Sequence, residues 1–143
     1  MYRIETPSFF LELDPDTVPT GTPPGECIFI EIKLCSSGFS AQTTVREFLR
    51  GLVDFADDLK ALDDSAKGSA RLQDFATDQY IEFSAQKGGY MKVTGQLTLE
   101  EPDDCTQVLS FENRLGFTME FRKFASRLHH DFSGFVNEWR KKP

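Results

Sequence analysis

The stretch TTVREFLRGLVDFADDLKAL, residues 43–62, decides how this chain is read. Its apolar residues fall at Val45, Phe48, Leu49, Leu52, Phe55, Ala56, Leu59 and Leu62, steps of three and four that make one stripe of an α-helix. Arg46, Glu47, Arg50, Asp54, Asp57, Asp58 and Lys60 take the opposite side. Thr44 and Glu47 have the spacing of a capping box, which predicts the helix start there. A lone helix of this length is marginal in water, so its stripe needs cover. Each fully buried Phe or Leu contributes roughly 1.5–3 kcal/mol, and the flanking strand-like segments are the candidates to bury them. Phe48, Leu52, Phe55 and Leu59 are expected in the core, against Ile28, Ile30 and Ile32 or against Val93 and Leu97.

Those segments alternate in polarity, as half-buried strands do. Ser8 to Leu13 puts Phe9, Leu11 and Leu13 on one side. Cys27 to Cys35 puts Ile28, Ile30, Ile32 and Leu34 on one face. Beyond the helix, Ser69–Phe75, Gln79–Ala85, Tyr90–Leu99 and Thr106–Asn113 read as four more strands. Lys87-Gly88-Gly89 is a hairpin turn, and Gly95 is a candidate bulge. Residues 14–26 carry Pro15, Pro19, Pro23 and Pro24 and read as a flexible surface loop. Helical spacing returns at Phe117, Phe121, Phe124, Ala125, Leu128 and Phe132, with Asn113 or Thr118 as its cap. Gly134 interrupts it before a short helical piece at Phe135, Val136 and Trp139, and residues 140–143 read as a frayed tail. No internal repeat is evident. The expectation is a single α+β domain over residues 1–143: a curved antiparallel sheet of about six strands, element order ββαββββα, holding the central helix, with the C-terminal helix beside it.

A chain of 143 residues suits one domain. Fourteen Phe, a side chain with no polar handle, point to a well-filled core. No run of apolar residues is long enough to span a membrane, and residues 1–13 lack a signal-peptide pattern, so the expected location is cytoplasmic. Cys27, Cys35 and Cys105 are odd in number and lack metal-ligand spacing, so neither a zinc site nor any other cofactor is expected. The net charge of −7 is uneven. Residues 1–113 hold 9 Lys/Arg against 20 Asp/Glu, whereas residues 114–143 hold 7 against 3. That balance argues against nucleic acid, which needs a positive surface, and suits a basic protein partner or simple solubility.

Chemistry-bearing clusters are few. His129-His130-Asp131 places two adjacent helical histidines about 100° apart, which do not converge on one metal. Asp54, Asp57 and Asp58, with Asp63 and Asp64, read as an acidic helix face; Asp54 and Asp58 stand at i and i+4. Glu100, Glu101, Asp103 and Asp104 form a second acidic patch in a turn. Tyr80, Glu82, Tyr90, Lys92, Thr94 and Gln96 mark an outward sheet face with Tyr, a residue enriched at interfaces.

Several stretches together resemble the WapI-type immunity proteins of bacterial contact-dependent toxin systems. They are the strand Cys27–Cys35, Val45-Arg46-Glu47-Phe48-Leu49, Gly68-Ser69-Ala70-Arg71-Leu72, Gly88-Gly89-Tyr90 leading into Val93-Thr94-Gly95, and Leu109-Ser110-Phe111. The resemblance covers roughly residues 8–130. It implies a small cytoplasmic protein that binds and blocks a toxin domain, and it brings no catalytic motif. The expected function is therefore non-enzymatic protein binding, with Asp54, Asp57, Asp58, Glu101, Asp103 and Asp104 facing the partner. The rivals are a small-ligand or enzymatic domain with a pocket between sheet and helices, and a subunit of a larger assembly.

Overall fold

The computed structural model describes residues 1–36, 38–100 and 106–141. Its elements are β1 (Tyr2–Thr6), β2 (Phe9–Pro15), β3 (Cys27–Ser36), β4 (Phe39–Phe48), α1 (Leu49–Ser65), β5 (Ser69–Gln73), β6 (Tyr80–Gln86), β7 (Tyr90–Glu100), β8 (Thr106–Gly116), α2 (Met119–Phe132) and α3 (Gly134–Lys141). The class is α+β, but the single six-stranded sheet gives way to two four-stranded antiparallel sheets, β1-β2-β3-β4 and β5-β6-β7-β8.

The correction begins inside the opening stretch. Residues 43–48 belong to β4, which pairs antiparallel with β3 from Cys27↔Phe48 to Ser36↔Phe39. Thr43, Thr44 and Val45 are three successive β-branched residues, stiff at χ1 and suited to a pleated strand. Ala41 and Val45 point into the core while Ser40, Gln42 and Thr44 face out. Thr44 and Glu47 therefore make no capping box, and α1 starts at Leu49 with Phe48 as its cap residue and no side-chain cap. The segment after β2 supplies the missing acceptors: Leu49 N–H donates to the Glu26 carbonyl at 2.8 Å and Arg50 N–H to the Pro24 carbonyl at 3.0 Å. Two of the four orphan donors at a helix start are satisfied in this way.

From Leu49 the helical period is clean, and Leu49, Leu52, Val53, Phe55, Ala56, Leu59 and Leu62 are buried. Phe48, expected in the core, is 44% exposed and stacks on Phe75 with ring centroids 4.5 Å apart. Thr118 caps α2, its hydroxyl accepting from Phe121 N–H at 3.3 Å. Gly95 is no bulge, since β7 and β8 pair without interruption from Tyr90↔Gly116 to Glu100↔Thr106. A Cβ there would lie 2.5 Å from the Phe111 ring and 2.6 Å from the Tyr80 carbonyl oxygen, so the position needs glycine for close approach.

Four strands followed by a helix thus occur twice, an order the strand-and-helix spacing alone had hidden. The two helices share the buried pattern Phe-Ala-x-x-Leu, at Phe55-Ala56 with Leu59 and at Phe124-Ala125 with Leu128. They lie against each other in antiparallel sense. Arg122 near the start of α2 meets Asp63 near the end of α1 at 3.5 Å, and His129 near the end of α2 meets Asp57 at 3.5 Å. Each helix also packs on the edge strand of the other half, α1 on β5 and α2 on β1. Phe83 on β6 stands at the centre, its ring 6.3 Å from Phe55, 5.8 Å from Phe121 and 6.0 Å from Phe124. Buried side chains of both halves form one continuous core.

Candidate functional site

The outer side of α1 is the first candidate. Arg50, Asp54, Asp58, Ala61 and Ser65 are exposed along it, while the apolar stripe holds the helix rigidly on the core. Asp57 is half-buried because it faces His129. Asp54 and Asp58 make no ion pair or hydrogen bond among the described residues. The Asp58 carboxyl titrates above the ordinary range, first because neighbouring chain partly desolvates it and then because Asp54 and Asp57 repel its charge.

Glu47 joins this face from the end of β4. Its side chain lies over Gly51, where a Cβ would collide with it, and its Oε1 accepts from Phe48 N–H at 2.8 Å. A carboxylate over the first turn of a helix also suits the helix dipole. Partial burial nevertheless raises the Glu47 pKa, and Asp74 and Asp54 raise it further, against the Phe48 hydrogen bond. Four carboxylates of like sign are thus held along one rigid edge. Of the six acidic residues expected at a partner surface, Asp54, Asp57 and Asp58 come together here. Glu101, Asp103 and Asp104 lie outside the described residues. The sequence places Glu47 on the same polar side as this trio but assigns it to a capping box with Thr44, which kept it off the expected partner surface; a helix start after the β-branched run removes that role.

The outward sheet face also forms as a unit. Register pairs Tyr80↔Gln96, Glu82↔Thr94 and Gln86↔Tyr90 set these residues on one surface of the second sheet. Several of them are already engaged by residues of the adjacent strands β5 and β8. The Arg71 guanidinium lies 3.8 Å from the Tyr80 ring centroid and Arg114 lies 4.4 Å from that of Tyr90, while Lys92 pairs with Glu112 at 3.6 Å. The arrangement is a cross-strand ladder that stiffens the sheet.

Where the two sheets meet, Asp74 and Gln79 are buried. Gln79 Oε1 accepts from Thr43 Oγ1 and Thr98 N–H, both at 2.9 Å, and its Nε2 donates to the Thr44 carbonyl at 3.3 Å and to Asp74 Oδ2 at 3.2 Å. Every polar atom of the Gln79 amide is used, which fixes β4 against the second sheet.

A cleft of about 400 Å³ opens between β1, residues 15–20 and the start of α3, lined among others by Tyr2, Asp16, Asp131, Phe132, Phe135 and Glu138. Tyr2 donates its hydroxyl to Asp131 Oδ2 at 2.5 Å. Burial, that hydrogen bond and the Asp131 charge hold the phenol well above its ordinary pKa, opposed by Arg127. Glu138 accepts from Gly21 N–H at 2.9 Å, and Trp139 Nε1–H donates to the Thr22 carbonyl at 2.9 Å, so α3 ties down the loop that caps α1.

Cys27 and Cys35 are free thiols, and Cys105 lies outside the described residues. No group of three or more His, Cys, Asp or Glu among the described residues is arranged to hold a metal ion. Among the described residues no helix is long and apolar enough to cross a membrane. In comparison with known proteins, no family model matches the chain and no curated protein matches it in sequence.

Proposed function

We propose that this chain is a non-enzymatic protein-binding domain whose acidic α1 face seats a basic surface of its partner, as an immunity protein occludes a toxin. The observation that carries this reading is the grouping of Glu47, Asp54, Asp57 and Asp58 on one rigid edge, where partial burial first, and repulsion by neighbouring carboxylates after it, raise the pKa of Glu47 and Asp58. Like charges held together in this way are offset by an opposite charge brought from outside, and such complementarity acts chiefly on association rate and specificity. Capture of proteins encoded by neighbouring genes tests it. The expected partner is basic, is retained at low salt and released at high salt, and is toxic when expressed without this chain. A captured partner that is acidic, or whose retention is indifferent to salt, contradicts the proposal.

The cleft beside α3 favours a second reading, a site for a small organic cation. Its lining includes the carboxylates of Asp16, Asp131 and Glu138 and the buried aromatic side chains of Tyr2, Phe132 and Phe135, a combination suited to an amine. A rise in unfolding temperature with simple alkylamines, abolished in Phe135→Ala and retained in Asp58→Lys, would favour this reading over the first.

A further inference from the structure

We propose that two copies of this chain associate through β8, pairing antiparallel across a two-fold axis at Asn113 and joining their second sheets into one continuous sheet. An uncovered sheet edge offers a row of unpaired N–H and C=O groups to any other strand. This fold has four edges, β1, β4, β5 and β8. The β1 strand has 5 residues and packs against α2, with Tyr2 tied to Asp131. On β4 the Arg46 carbonyl accepts from Phe75 N–H at 3.0 Å and the Thr44 carbonyl from Gln79 Nε2 at 3.3 Å. The β5 strand has 5 residues and packs against α1.

The β8 strand differs on each count. It runs 11 residues, contains no proline, and pairs with β7 without a bulge. Among the described residues, no hydrogen bond from an element other than β7 reaches its backbone between Thr106 and Leu115. Its outer face carries two exposed charges of opposite sign, Glu112 and Arg114. Lys92 and the Tyr90 ring hold these two side chains on that face.

The sequence selects one register. Centred on Asn113, antiparallel pairing sets Glu112 opposite Arg114 of the second copy, and Arg114 opposite its Glu112. It also sets Phe111 against Leu115 on the inner face. Centred on Glu112, the pairing would oppose like charges. Centred on Phe111, it would set Val108 against Arg114 and form no ion pair. Opposite charges directly across a strand pair are favourable and like charges unfavourable.

Sedimentation equilibrium of the full chain at low salt tests the proposal. The expected result is a concentration-dependent dimer. Arg114→Glu turns both cross-strand pairs repulsive and should weaken the dimer about tenfold or more. Glu112→Arg should do the same, and the double variant Glu112→Arg/Arg114→Glu should restore it. Circular dichroism on each variant shows that the monomer remains folded. A chain that stays monomeric at about 1 mM, the weak end of specific association, overturns the proposal. So does a folded double variant that fails to recover the dimer.

Discussion

Leu52 and Phe48 stand four residues apart and meet opposite fates. Leu52 is fully buried in the shared core, so Leu52→Ala removes packed volume and should cost about 2–5 kcal/mol. Phe48 is exposed and contributes its stack on Phe75, worth about 0.5–1.5 kcal/mol, so Phe48→Ala should cost less. Urea unfolding of both variants checks the order. At this scale the sequence was informative wherever a position satisfied one period alone: Leu52, Phe55 and Leu59 fit only the helix. Val45 and Phe48 fit the helical steps as well as the strand, and the β-branched neighbours of Val45 decided the matter. The acidic trio was legible for the same reason, since it lies opposite an unambiguous stripe. Asp58 gives a pH-dependent test. Its pKa is raised in the folded state, so the folded chain binds a proton more readily than the unfolded chain, and stability falls as pH rises through the carboxyl range. Asp58→Asn should therefore be more stable than the parent at pH 7. The advantage should fade below about pH 4, where carboxyls protonate in both states. Urea midpoints at the two pH values read this directly.

Among the elements, α1 owes its start to a contact distant in sequence. No side chain caps it; the carbonyls of Pro24 and Glu26 do, and the loop that carries them is tied at Thr22 and Gly21 to Trp139 and Glu138 of α3. A proline-rich stretch reads as a loop from local propensity, and it is one. Its role as a cap depends on how β2, β3 and α3 place it, which no local pattern encodes. Trp139→Phe keeps the ring but removes the N–H bond to Thr22. The expected outcome is faster amide exchange at Leu49 and Arg50, with Leu59 in the middle of α1 unchanged. Equal acceleration at Leu59 would mean that the whole helix had loosened and that the capping account is wrong. The strands show a similar limit. Alternation found β2, β3, β5, β6, β7 and β8, but β1 is only 5 residues long and β4 continues directly into α1. One short strand and one hidden inside an apparent helix turned an eight-stranded fold into an expected six.

For the whole molecule, the doubled order of four strands and a helix is interlocked rather than side by side, because each helix packs on the first strand of the other half. Each half leaves part of its own helix stripe to be covered by the other, and a stripe left partly uncovered does not fold alone. Fragments 1–66 and 67–143 should each lack cooperative unfolding when expressed separately and should regain it when mixed; a cooperative transition in either fragment alone contradicts the interlocked core. Net charge belongs to this scale too. A value of −7 fits solubility as well as recognition, and only the placement of the charges separates the two. Asp54 and Asp58 are the sharpest probes, since neither has an ion-pair partner among the described residues, whereas Asp57 faces His129. The direct test is the association rate of the Asp54→Lys/Asp58→Lys variant with the captured basic partner, measured by stopped flow at low salt and again near 1 M, where screening shortens to about 3 Å. A role for the acidic α1 face predicts a rate at least about tenfold below the parent at low salt, with the two chains converging at high salt. A folded variant that associates as fast as the parent at low salt would contradict it.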